Sequence, residues 1–344
     1  MPVPLARQAA DRRRAAYLAA LADGADRFHE PRRATCPWCG SARLRTRLRS
    51  GDPRQRTPGT FAVDACRDCG HVFQNPRLTA EGLVFAHRDV YEGHLEASAT
   101  RGGLRRAHRR AARAMLRLTE PESWLDVGTG HARFPETARE LLPYTAFDGL
   151  DPTGRVEEAR AAGRIEEAHV GHLTDPRITA RLRARYDVVS MLHHLQHVPD
   201  PRAELRAALG VLRPGGLLLI ELPDPRCVFA ALLGRWWPPH DHPRHLHLPP
   251  PANLIAELRA QGCTIVAADR RAPHVPCDLA AALSLALAHA LPAPDGPWRA
   301  ALTGAGSPLV ALASALDHAL APVLRRTPFS NAYRVVARKG ASAP

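Results

Sequence analysis

At 344 residues the chain exceeds the usual single domain of ~100 to 200, so a main domain with an appendage is expected. Its 47 basic and 34 acidic residues give a formal net charge of +13, yet Lys339 is the only lysine, and this arginine skew among abundant Ala, Leu and Pro reads as compositional bias. Charge alone therefore does not argue for nucleic acid. Every apolar run is interrupted before the ~18 residues of a membrane span, and the opening residues do not read as a signal peptide, so a cytoplasmic protein with reduced thiols is expected.

In chain order, residues 5–28 read as an Arg- and Ala-rich helical arm within a segment 1–31. Residues 32–76 hold four of the seven cysteines in two knuckles, Cys36-Pro-Trp-Cys39-Gly and Cys66-Arg-Asp-Cys69-Gly, separated by 26 residues. Each Cys-x-x-Cys turn aims two thiolates at one point, which is the spacing of a tetrahedral Zn2+ site. A redox dithiol would need only one pair, and a disulfide pair does not suit the expected compartment. The reading is a zinc ribbon with strands at 44–49 and 60–65, and four cysteine ligands leave no position for substrate, so the zinc is structural. Cys227, Cys263 and Cys277 read as small buried hydrophobes.

Residues 77–120 form a helical bridge with Tyr91 near its middle and a basic helix at 104–118, in which Leu104, Met115 and Leu118 are placed to face the main domain. From 121 to 340, strands at 123–128, 145–150, 166–170, 186–191, 217–222 and 263–269 alternate with helical patterns, which means an α/β, doubly wound parallel sheet. The most informative stretch is Trp-Leu-Asp-Val-Gly-Thr-Gly-His-Ala-Arg-Phe, residues 124–134, where an apolar strand runs into a Gly-x-Gly turn. Gly128 and Gly130 allow a sharp bend and a close backbone approach to a nucleotide-like ligand, with Asp126 at the strand end. The dinucleotide fingerprint would put a third small residue where Arg133 stands, so a nicotinamide or flavin site is disfavoured. Asp151 closes the next apolar stretch, 25 residues after Asp126, where an acid can grip two ribose hydroxyls.

The chain resembles the class I S-adenosylmethionine-dependent methyltransferases through Leu-Asp-Val-Gly-Thr-Gly-His-Ala (125–132), Gly-Leu-Asp-Pro (149–152), Tyr-Asp-Val-Val-Ser (186–190), Leu-Gln-His-Val-Pro-Asp-Pro (195–201) and Leu-Arg-Pro-Gly-Gly (212–216). The resemblance covers roughly residues 105–270 plus a final strand near 331–338. It implies a Rossmann-like, mostly parallel seven-stranded sheet, with a helical insertion before a last antiparallel strand. It further implies that Asp126, Gly128, Thr129, Gly130, Asp151, Pro152, His172 and Leu192 bind S-adenosyl-L-methionine. Three positions depart from the pattern: Ala132 stands for a usual Gly, His172 for a frequent Asp, and Gln196 for a common Glu.

In such sheets ligands bind outside the carboxyl ends of the strands, so the segments leaving those ends are expected to line the site. They are 191–197, the excursion 223–251 with Trp236 and Trp237, and 271–330, the last two read as lid insertions. Methyl transfer to a hydroxyl requires a proton acceptor, and His197 and His245 are the candidates. A divalent-metal site among His240, His242, His245, His247, His193 and His194 is the lesser alternative. The reading is a methyltransferase acting on a hydroxyl or activated carbon of a small molecule, with peripheral membrane contact by the apolar insertion as a minority possibility. Its rivals are an RNA methyltransferase, for which no motif for a flipped base is present, and a non-catalytic cofactor-binding partner.

Overall fold

The computed structural model describes residues 16–54, 59–87, 98–290 and 298–341, without the side chains of 98–102 and 298–307. Most of the expected amino-terminal arm, and Tyr91, lie outside the described residues. The chain divides into two compact units: residues 1–95, 228–246 and 276–322 form the first, and 96–227, 247–275 and 323–344 the second. The bridge is thus shared between units, and most of both insertions groups with the first.

In the first unit, the described part of the arm is helical at 16–21 and ends before Gly24. It packs rather than projects, because Tyr17 and Phe28 bury against Phe85 with ring centroids 5.0 and 4.6 Å away. The ribbon strands are β1 (Leu44–Ser50) and β2 (Phe61–Cys66), antiparallel to each other, and β2 pairs with a short third strand, β3 (Val72–Gln74), that the sequence reading did not include. Asp64 is buried in β2 and is fully used, accepting from Arg32, Thr46 and Asn75 at 2.7 to 2.9 Å. The insertion helices Asp278–Ala290 and Trp298–Leu324 are joined by Asp317, whose carboxylate accepts the amides of Leu279 and Ala280.

The second unit is built on β4 (Ser123–Val127), β5 (Ala146–Asp151), β6 (Ala168–Val170), β7 (Tyr186–Leu192), β8 (Leu212–Pro223), the two-residue β9 (His247–Leu248), β10 (Cys263–Asp269) and β11 (Ala332–Lys339). Seven of these form one sheet in the order β10-β11-β8-β7-β4-β5-β6, with β4 to β8 parallel and β11 antiparallel to both neighbours. Alternate residues feed two cores: Leu218, Ile220 and Leu222 of β8 point to one face, Leu217 and Leu219 to the other. Both faces are covered, as near-continuous apolar strands require. The helix Ser98–Leu116 lays Ala111, Ala112 and Met115 onto the second face. Leu104 does not join them and is 41% exposed; among the described side chains of that helix burial begins at Ala107.

Candidate functional site

The four knuckle cysteines converge, with all four Sγ atoms within 4.8 Å of one another. Cys36 and Cys69 lie 3.7 Å apart and Cys39 and Cys66 3.5 Å, close to the roughly 3.8 Å that a tetrahedral ion with ~2.3 Å Zn–S bonds requires. The amide of Trp38 donates to Cys36 Sγ, the outer-shell bond that supports a thiolate. A second group, Asp148, Glu167 and His169, also gathers, but Arg185 and Tyr186 donate to Asp148, Arg185 to Glu167 and Arg181 to His169 Nδ1. These cations already neutralise the acids. Among the described residues, the loop histidines weighed as a metal site do not assemble three ligands.

At the carboxyl ends of β4 and β5, the Gly-x-Gly turn is tied down by its own amides. Gly128 N–H donates to Leu150 O at 2.8 Å, Thr129 N–H to the same carbonyl at 3.2 Å, and Gly130 N–H to Asp151 Oδ2 at 2.9 Å. Gly128 (φ +73°) and Gly130 (φ +52°) occupy the left-handed region, which strains any side chain, and nothing lies within 4 Å of a Cβ built on Gly130. Asp151 also accepts from the amide and hydroxyl of Thr153, which follows Pro152.

Asp126 is buried beneath the turn and accepts from the Ser190 hydroxyl at 2.6 Å, which in turn accepts from Trp124 Nε1 at 2.8 Å. Burial pushes the Asp126 carboxyl up to about 6 against the opposing pull of the Ser190 bond. The sequence reading does not single out Ser190; its signal is a hydroxyl between the apolar strand residues Val189 and Met191. Leu192 ends β7 and is half-buried, and His172 follows β6 with its side chain exposed.

The turn after β7 begins with His193, a non-glycine residue at φ +55° whose N–H donates to Glu221 O at 3.0 Å. His194 points its Nε2 at Glu204 Oε1, 2.8 Å away, and half-buried His197 follows, its N–H bonded to His194 O. The signal for Glu204 was a lone acid on the buried stripe of the helix Pro201–Val211.

His245 belongs to the first unit. Its Nδ1 lies 2.7 Å from Pro239 O, and burial pushes its pKa down to about 4. Beside it, fully buried Arg244 is gripped by Asp52 through two bonds of 2.7 and 2.8 Å and by Asp241 at 2.9 Å. The sequence reading did not foresee this anchor, because Asp52 lies 192 residues away. Trp237 is buried in the same unit with its indole N–H on Asp278, and Trp236 stacks beneath the Arg235 guanidinium.

Residues 99–268 match the model of a family described as a methyltransferase domain. That segment is a methyltransferase domain. The chain is 29% identical over 152 residues to a ubiquinone biosynthesis O-methyltransferase of Aeromonas salmonicida, covering 41% of this chain and 62% of that protein. It is 33% identical over 94 residues to a protein of the same name from Escherichia coli O127:H6, covering 27% and 39%. The chain therefore spans less than two thirds of the length of these curated relatives. A solved structure of Burkholderia thailandensis 1,6-didemethyltoxoflavin-N1-methyltransferase, with that compound and S-adenosylhomocysteine bound, shares 16% identity and a TM-score of 0.46, covering 85% of this chain and 99% of that one. Among the described residues no helix is long and apolar enough to cross a membrane.

Proposed function

We propose that this chain is an S-adenosylmethionine-dependent methyltransferase acting on a hydroxyl or activated carbon of a small molecule. The observation that carries the reading is the turn 128–130, braced by Leu150 O and Asp151, with buried Asp126 at its root, inside a segment of the methyltransferase-domain family. When bound, the cofactor supplies a methyl group already activated as a sulfonium. The protein's work is to hold, align and exclude water, and for a hydroxyl to take up its proton.

Asp151 is assigned to the ribose, Asp126 to the amino end of the cofactor, and Gly128 to Gly130, Pro152, Leu192 and His172 to the walls around it. His197 is assigned as the proton acceptor. His245 takes second place, because an imidazole whose pKa is held near 4 is a weak base at neutral pH. Zn2+ held by Cys36, Cys39, Cys66 and Cys69 is assigned a structural role in the cytoplasmic protein.

Asp151→Ala tests the reading. A charged hydrogen bond contributes roughly 1.5 to 3 kcal/mol, so calorimetry should show S-adenosylhomocysteine bound about tenfold or more weakly. D151N, which keeps an oxygen for the Gly130 amide, should fall between. Unchanged affinity in D151A would remove the ribose assignment.

A further inference from the structure

The pair His194 and Glu204 has no part in the assignments above, yet it touches the turn on which they depend. Glu204 sits on the buried stripe of its helix, with Leu205 and Ala208, where an ionised carboxylate is costly without a partner. Its partner is His194: a carboxylate oxygen 2.8 Å from Nε2 calls for a hydrogen on that nitrogen, which fixes the ring's orientation. The other edge of the ring then lies against Gly128. A Cβ built there would stand 2.4 Å from His194 Nδ1 and 2.9 Å from its Cγ, so backbone and imidazole are in direct contact. The turn is thus held from two sides, by Leu150 O on β5 and by this ring.

We infer that His194, oriented by Glu204, is a positioning residue that holds the Gly128 turn in its cofactor-binding shape and links it to the segment carrying His197. The inference rests on the methyltransferase reading and deepens it. Two general features separate it from ordinary packing. The ring meets backbone at a glycine rather than a deformable side chain, so its loss frees the turn itself. The acid that orients it comes from a different element, so removing either partner should release the same contact.

The test measures S-adenosylhomocysteine affinity by calorimetry, with melting temperature as the folding control. H194A and E204A should each raise the Kd by about tenfold, and the double variant by little more than either, because both remove one device. E204Q, isosteric and with a weaker neutral acceptor, should raise it about threefold. Amide hydrogen exchange at residues 128–130 should quicken in step. Leu209→Ala, on the same helix but away from the pair, should lower the melting temperature and leave the Kd alone, which separates positioning from general destabilisation. If the wild type binds and E204Q, E204A and H194A bind within twofold of it, the inference is overturned while the methyltransferase reading stands. If the wild type itself takes up no S-adenosylhomocysteine, that reading fails and the inference falls with it.

Discussion

The cysteine cluster of the first unit and the glycine turn of the second are both places where the chain gathers polar groups, but they do so by opposite means. The cluster uses four like side chains from two short turns, converging within 4.8 Å. The turn uses backbone amides, with carboxylates and hydroxyls from separate strands: Ser190 lies 64 residues from the Asp126 it bonds. A site made of side chains on local turns depends on its ion for shape. A site made of backbone at strand ends is held by the sheet before any ligand arrives.

The largest effect that could break this contrast is metal removal. If Cys36, Cys39, Cys66 and Cys69 hold one zinc, chelation or Cys36→Ser should unfold the ribbon, since such ions contribute on the order of 10 kcal/mol to small domains. A melting transition should fall by roughly 10 °C or more, and elemental analysis of untagged protein should return one zinc per chain. Chelation without change in the melt, or iron in place of zinc, would undo the assignment. Loss of methyl transfer from a protein still fully folded would show that the closed cluster reaches the chemistry after all.

Next comes the proton acceptor. Replacing His197 by Ala or Gln should cut turnover by about 100-fold with the Kd for S-adenosylhomocysteine nearly unchanged, and supplying the acceptor already deprotonated at high pH should restore part of it. His245→Ala should instead act mainly on stability, because its imidazole is bonded to Pro239 O beside the Arg244 anchor. Turnover lost in H245A and kept in H197A would reverse the two assignments.

The same contrast explains what could be read in advance. The cysteine set was legible because its ligands fall in two four-residue words, and the doubly wound parallel sheet because apolar runs alternate with helical patterns. Strand ends came within a residue or two for β4, β5 and β10, whereas β8 begins at Leu212 rather than 217 and β3 was missed, being only three residues long. The side-chain partners escaped: Arg244 with Asp52, Trp124 with Ser190, and Glu204 with His194 across the turn ten residues before it. Pairing a buried arginine with an acid 192 residues away is a product of the finished fold, and no local pattern encodes it. Unit membership escaped for the same reason, since residues 228–246 and 276–322 interrupt the second unit's sequence yet group with the first.

A proton count is the most direct probe of the turn. Asp126 has its pKa raised by burial from 3.8 to about 6, so between those values the folded protein holds a proton that the unfolded chain has released. Its contribution to stability is therefore complete below about pH 4 and is lost as pH rises toward 6, by at most ~3 kcal/mol for a shift of about two units. A cofactor ammonium placed beside Asp126 would favour the carboxylate and lower that pKa again. Binding near pH 5 should then expel up to about one proton, falling toward zero by pH 7.5, and affinity should rise with pH up to 6. Calorimetry in buffers of different ionisation enthalpy counts the proton directly, and D126N, which can still accept from Ser190, should abolish its release. Release that persists in D126N would trace it to another group. A proton count equal at pH 5 and 7.5 would mean that Asp126 does not meet the cation, leaving it a buried support for Ser190 and Trp124 beneath the turn.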